Sequence, residues 1–385
     1  MNFKNIRVLI LEGYARQSLP LIKAFNKLGC DVTALCNTKL DVAYASRYTH
    51  HKLIGICDRD KPSETTQQIR ELLQTGNYDI VVPTVDFSAA ILSENKEEFK
   101  KYAKIASNDF DIYQIAGDKL RTMDICMKNN IPCPITILNA SSIEDILNAG
   151  INFPIVVKPK TGYGAIGFHK INSKEELYDM FSSNDICFED YLYQEYIPQT
   201  DLQYECAMFI DENNQIKTSV VFSKNRWYPI TGGSSTLNIT IDRPDIIKDC
   251  EKLLKAINWR GAADIDLIQD PRDGKAKIME INPRVSGSVK ICFIAGVNQA
   301  RQMLELAYNL PVTKYDGYKL GKRLRCSQTD FLWFVKSHNR FNSKPSWFSL
   351  KDTSDHTFSW DDPLPWLAFS INGLKNYKKE MSKRH

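Results

Sequence analysis

Apolar and polar positions change period along this chain, and the changes mark out strands and helices in alternation. Ile6–Leu11 is an apolar run interrupted only by Arg7, the pattern of a strand buried on both faces. A helix follows Glu12-Gly13 to about residue 28, Gly29-Cys30 ends it, and Asp31–Leu35 is the next strand. Further strands are expected at Tyr78–Pro83 and Lys104–Ala106. Strand, helix and parallel strand in this order predict a doubly wound, Rossmann-like sheet over residues 1–115. The first loop, Glu12-Gly13-Tyr14-Ala15-Arg16, lacks G-x-G-x-x-G, which argues against a dinucleotide there.

Beyond residue 115, Gly117-Asp118-Lys119 opens a helix to about Asn130, and Ile131–Pro134 leads into a strand. Capping-box patterns at Ser141/Glu144 and Ser173/Glu176 start two more helices. Between them, Phe153–Lys160 is a strand with Lys158 and Lys160 on one side, running into the glycine-rich loop Thr161–Gly167. Asp190–Pro198 is an apolar, aromatic segment, and residues 245–258 carry one apolar helical stripe. Ala262–Gln269 and Ile278–Asn282 alternate as strands around a turn-rich Asp270–Gly274. With those five residues as the loop, Gln269 faces Lys275 and Asp264 faces Glu280. Asp264, Asp266, Glu280 and Asn282 then share one face. So many acids together require cations or open solvent; the hairpin alone allows either a Mg²⁺-and-phosphate grip or a solvated polar face.

Composition narrows the classes. The 385 residues are 43% hydrophobic and 25% charged with a net charge of +4, the profile of a globular chain of two or three domains without a nucleic-acid footprint. The Lys and Arg residues at the very end read as a solvated terminus. Ten cysteines without paired spacing suit a reducing compartment. No apolar run approaches the roughly 20 residues of a membrane span, and a cytoplasmic protein with no membrane partner is expected.

The ordered blocks are Gly117-Asp118-Lys119, Val157-Lys158-Pro159-Lys160 with its glycine loop, Gln194-Glu195-Tyr196-Ile197, Thr231–Ser235, Asp264-Ile265-Asp266, and Met279-Glu280-Ile281-Asn282-Pro283-Arg284. Over residues 5–310 this order resembles the ATP-grasp superfamily, most closely its carbamoyl-phosphate-synthase-like branch of carboxylate–amine ligases. The resemblance implies an α/β fold, α+β in part. A Rossmann-like pre-ATP-grasp domain (1–115) would precede a two-lobed ATP-grasp domain (116–311, small lobe about 155–197) and an aromatic-rich C-terminal extension (312–385).

It also implies ATP and Mg²⁺ (or Mn²⁺) as cofactors. Lys119, Lys158 and Lys160 would hold phosphates under a loop containing Gly162, Gly164 and Gly167. Glu195 and Ile197 would read adenine, Glu195 accepting from the exocyclic amine, while Asp201, Gln203 and Glu205 compete for the ribose. Asp266, Glu280 and Asn282 match the metal ligands. Arg284, with Lys158, would steady the transferred phosphoryl group. Arg226, Gly232 and Gly233 would face the acceptor substrate.

The implied activity is ADP-forming ligation of a small-molecule, peptide or sugar-acid carboxylate to an amine through an acylphosphate. Ammonia or thiol ligation, carboxylate phosphorylation and non-catalytic ATP binding are the alternatives. The oligomeric state stays open, with a homodimer through the N-terminal domain as one expectation.

Overall fold

The structure is a computed structural model that describes residues 3–161, 167–183, 187–198, 202–230 and 233–382. Its first sheet is parallel and has five strands, β1 (Arg7–Ile10), β2 (Asp31–Cys36), β3 (His51–Ile54), β4 (Ile80–Val82) and β5 (Lys104–Ile105), in the order β3-β2-β1-β4-β5. Strand order reverses between β1 and β4, which opens a crevice at their carboxyl ends. Arg7 ties that pair together by a two-pronged contact with Asp79 at 2.7 and 3.1 Å.

The loop after β1 is tightly packed against β2 and the residues after β4. Buried Glu12 sits at a φ of 54° and accepts from the Thr84 N–H (2.9 Å), the Thr84 hydroxyl (3.0 Å) and the Cys57 thiol (3.3 Å). A Cβ at Gly13 would lie 2.4 Å from the Cys36 sulfur and 3.0 Å from the Leu35 carbonyl oxygen. Gly13→Ala is therefore expected to destabilise the protein by about 1–3 kcal/mol, as overpacking of a filled site does. Urea unfolding checks this, and an unchanged midpoint would mean that β1 and β2 separate freely.

A second, antiparallel sheet runs β6-β9-β7-β8, from β6 (Thr136–Ile137), β7 (Ile155–Pro159), β8 (His169–Ile171) and β9 (Tyr191–Glu195). It has its own small core around Ile155, Val157, Leu177 and Tyr193. The third sheet has seven strands, β10 (Gln203–Ile210), β11 (Ile216–Tyr228), β12 (Ser234–Thr240), β13 (Gly261–Gln269), β14 (Ala276–Asn282), β15 (Arg323–Arg325) and β16 (Thr353–Asp355). Their order is β14-β13-β10-β11-β12-β15-β16. The expected amphipathic helix is Pro244–Ala256, and it buries Ile246, Cys250, Leu253 and Leu254 under this sheet. Val8 and Phe25 share a core with Phe209, Val285 and Leu304, so the first and third sheets are packed together through common side chains.

Two local expectations need correction. The cap of the Ile143–Asn148 helix is Ser142, which accepts from the Asp145 N–H; Ser141 instead donates its N–H and hydroxyl to the Asp145 carboxylate. The β13–β14 hairpin has a longer loop, with Gln269 opposite Ala276, and a bulge that makes Met279 the extra residue. Asp266 therefore faces Glu280, and Asp264 faces Asn282. The bulge matters chemically. Ala276, Ile278 and Ile281 point into the core, and the change of parity between Ile278 and Ile281 moves Glu280 and Asn282 to the face of Asp264 and Asp266.

Eight of the ten free cysteines are buried, as small apolar side chains would be. Among the described residues no helix is long and apolar enough to cross a membrane. The C-terminal residues are part of the fold, because β15 pairs with β12 and β16 with β15.

Candidate active site

Five elements converge where the open face of β13 and β14 meets the small sheet. Asp118 caps the Lys119–Lys128 helix by accepting from the Leu120 and Arg121 N–H groups, which fixes Lys119 on the first turn. From there Lys119 reaches Glu280 at 3.2 Å. The Lys119 N–H donates to the Lys160 carbonyl (2.9 Å), pinning the helix start to the end of β7. Lys158, on β7 two residues before Lys160, lies in the field of Glu280 and Lys119. Its burial lowers the ammonium to about 8, with Glu280 opposing and Lys119 adding to the fall.

The acidic face is internally braced. Lys224 on β11 contacts Asp266 at 2.5 Å and Glu205 at 3.0 Å, and these two carboxylates keep its ammonium far above its usual value despite burial. Asn282 donates to Asp266 (3.2 Å) and accepts from Arg284 (2.9 Å). Arg284 is held from the other side by Asp86 of the first sheet's crevice, 3.1 Å from its Nε. Ser286 donates to Glu205 at 2.9 Å and fixes the turn that follows.

Two of the carboxyls are nevertheless pushed toward their neutral form. Burial, then Glu205 and Asp266, push the Asp264 carboxyl well up, and its Oδ1 has no hydrogen-bond partner among the described residues. Burial, only partly offset by Lys119, also raises Glu280. Among the described residues, no three His, Cys, Asp or Glu side chains form a metal cage on their own.

Of the expected site residues, Lys119, Lys158, Asp266, Glu280, Asn282 and Arg284 are brought together, and Lys160 meets them through its carbonyl, which accepts from the Lys119 N–H. Gly167 closes its loop at a φ of 72°, and a Cβ there would press on Pro159 at 2.9 Å. Gly233 lies so close to the Tyr228 carbonyl, 2.3 Å from a would-be Cβ, that only glycine fits. Gly162, Gly164, Asp201 and Gly232 fall outside the described residues. Gln203 is half-buried at the start of β10, and Ile197 is buried just beyond β9.

Two residues are not placed as expected. The Glu195 carboxylate accepts from the Ile135 N–H (2.9 Å), Arg272 (2.6 Å) and Lys277 (3.1 Å). Burial alone would raise it, but these donors hold it below the ordinary glutamate range. Its oxygens are thus engaged by the β13–β14 hairpin. Arg226 is 3% exposed and spends its fork on Asp330 (3.0 Å), Ser343 (3.4 Å) and the Pro345 carbonyl (2.6 Å), all in the C-terminal segment. It braces that segment against β11 and does not face an open substrate site.

Lys224, Asp86 and Ser286 are the site residues that sequence reading missed. Lys224 was within reach, since it sits in a strand whose alternation could have been read. Asp86 carries no local signal, being 198 residues from the arginine it holds.

Residues 116–288 match the profile of the ATP-grasp domain family. The chain is 23% identical over 252 residues to the D-aspartate ligase of Enterococcus faecium, covering 59% of this chain and 58% of that protein. It is 24% identical over 304 residues to the carbamoyl phosphate synthase large chain of a Thermoanaerobacter species, covering 73% of this chain but 25% of the other. The alignments thus span under two thirds of either relative. Among solved structures, the biotin carboxylase domain of Hydrogenobacter thermophilus 2-oxoglutarate carboxylase, determined with MgADP and bicarbonate, superposes with a TM-score of 0.68 at 16% identity. That match covers 82% of this chain and 73% of the other.

Proposed function

We propose that the protein is an ATP-dependent, ADP-forming carboxylate–amine ligase acting on small molecules through an acylphosphate. The observation that carries this reading is the opposition of Lys119 and Lys158 to the Asp266–Glu280–Asn282 face, with Arg284 clamped beside it. The D-aspartate ligase relative supports it by its named activity.

The residues present fit a divalent cation. Asp266, Glu280 and Asn282 offer hard oxygens on one face, and the partnerless Asp264 oxygen and the raised Glu280 are buried carboxyls whose charged form a cation would favour. Two carboxylates and a carboxamide suit Mg²⁺ whose shell is completed by phosphates and water. Bound there, Mg²⁺ would draw charge from the phosphoryl group under transfer.

The chain's own groups do the rest by positioning and neutralisation. A substrate carboxylate and a triphosphate repel each other, so their approach needs cations aimed at the transferred oxygens. Lys119 and Lys158 supply two from the small-sheet side, and Arg284 supplies a planar fork already oriented by Asp86 and Asn282. Lys224 keeps Asp266 ionised and in place. With the Glu195 carboxylate engaged, we assign adenine recognition to backbone groups of Glu195–Ile197. After phosphoryl transfer the acyl carbon is open to an amine, which displaces phosphate and forms the carbon–nitrogen bond.

ADP release across panels of carboxylates, with hydroxylamine as a general amine acceptor, tests the reading. A carboxylate that stimulates ADP and hydroxamate formation together is expected. ATP binding with no stimulated turnover, or AMP as product, would overturn it.

One pH effect follows. Lys158 is charged below about 8 and neutral above it, while a bound triphosphate favours the charged form. ATP binding should take up a proton above pH 8, and affinity should fall with rising pH, approaching about tenfold per pH unit. Lys158→Arg, always charged, should flatten that dependence. Calorimetry of ATP binding from pH 7 to pH 9 decides, and a flat wild-type profile would remove Lys158 from the triphosphate.

A further inference from the structure

Residues 312–385 differ from the rest of the chain in charge and in exposed surface. They hold 14 of the 50 Lys and Arg residues but only 7 of the 46 Asp and Glu, so the segment is net basic while the remainder is net acidic. Every acid between 312 and 375 is already engaged. Asp330 takes two arginines, Asp316 and Asp352 pair with lysines, and Asp355 accepts backbone N–H groups. Asp361 and Asp362 latch onto Lys23, Tyr48 and Ser46 of the first domain. By contrast Lys336, Lys344, Lys351 and Lys375 are exposed and form no ion pair among the described residues.

Apolar side chains lie between these lysines. The Ser327–Lys336 and Leu364–Ser382 helices are joined by Trp366 donating to Ser327 (2.8 Å) and Gln328 donating to Ser370 (2.9 Å). Phe331 (55% exposed) and Val335 (48%) follow one and two turns beyond that contact on the first helix. Leu367 (49%), Ile371 (36%) and Leu374 (82%) keep three- and four-residue spacing on the second, which makes one exposed apolar stripe. Phe341, Phe348 and Leu350, each more than 60% exposed, extend from the connecting loop, and Trp360 before the second helix is 91% exposed. A single exposed leucine needs no explanation, but this many large apolar side chains exposed on two joined helices and the loop between them do.

We infer that this face docks on the surface of an anionic phospholipid bilayer, with the aromatic and aliphatic side chains at the headgroup–acyl boundary and the lysines on lipid phosphates. The charge selects this occupant. A second copy would bring one basic segment against another, whereas anionic lipid complements both the apolar row and the unpaired lysines. The helices lie on the bilayer and do not cross it. The expectation of no membrane partner, drawn from the lack of a spanning segment, does not reach a contact of this kind. The inference is independent of the ligase reading.

Flotation of the full chain with phosphatidylcholine vesicles, with and without phosphatidylglycerol, tests it. The protein should float with the mixed vesicles, stay in solution with phosphatidylcholine alone, and be released by high salt. Leu367→Asp with Leu374→Asp should weaken binding at least about tenfold. Lys336→Gln, Lys344→Gln and Lys375→Gln should cost about fivefold for each charge removed. Since all five residues are exposed, unchanged unfolding midpoints confirm that these variants stay folded. The inference fails if the wild type floats with neither vesicle, or if the substitutions leave binding unchanged. It also fails if light scattering finds a dimer that Leu367→Asp splits.

Discussion

Glu280→Gln is expected to lower turnover by at least about 10²-fold while leaving the fold intact. The substitution keeps the shape of the side chain and removes the charge that faces Lys119 at 3.2 Å. Loss of one preorganised electrostatic contact to a developing charge costs on the order of 10²–10³ in rate, and here the same oxygen is assigned to the metal. The carboxyl is also raised by burial and by Asp266, so the unliganded protein gives up little by losing it. Stability should hold or rise slightly while activity collapses. The measurement is ADP release at saturating Mg²⁺ alongside urea unfolding. Turnover within a few-fold of wild type would move the metal site elsewhere, and a fall in both quantities would make Glu280 a structural residue.

Asp330→Ala should be the most destabilising single change outside the apolar core, by about 3–5 kcal/mol, the usual result of stripping the partner from a buried charge. Asp330 is fully buried and lies 3.0 Å from Arg226 and 2.6 Å from Arg325, while accepting from the Thr236 hydroxyl at 2.8 Å. Its removal leaves two guanidinium groups together, one of them 3% exposed. Their stacking on Trp333 and Trp347, at 4.8 and 4.3 Å, cannot replace the lost charge. Chemical unfolding reads the effect. A cost below about 1 kcal/mol would show that water reaches the pair and that the C-terminal segment is only loosely attached to β11 and β12.

The parts of this fold that sequence reading captured are those in which neighbouring residues decide the outcome. Ile6–Leu11 could only be a buried strand, and the alternation of Asp264 and Asp266 with Ala263, Ile265 and Leu267 put both acids on one face. β3, His51–Ile54, went unread because its residues are half-buried or exposed and show no apolar alternation. At the site, strand parity correctly grouped Asp264, Asp266, Glu280 and Asn282, but for an incomplete reason. The real register needs a longer loop and a bulge at Met279, and no residue type there announces either. The clamps on Arg284, Asp266 and Glu195 come from Asp86, Lys224 and Arg272, all distant in sequence. Long-range electrostatics of this kind becomes legible only once the chain is folded. Arg226 shows the reverse: its place beside an expected substrate loop suggests a ligand contact, but its partner is a carboxylate about a hundred residues further along.

In the proposed reaction a carboxylate attacks the terminal phosphate of ATP between Lys119, Lys158 and Arg284. The most direct measurement uses the carboxylate that best stimulates ADP release, labelled with ¹⁸O in both oxygens, followed by mass analysis of the phosphate formed. Transfer of one ¹⁸O into phosphate for each product molecule is the predicted result, because the bridging oxygen of an acylphosphate leaves with phosphorus when the amine attacks carbon. Unlabelled phosphate, or label recovered in AMP, would contradict it.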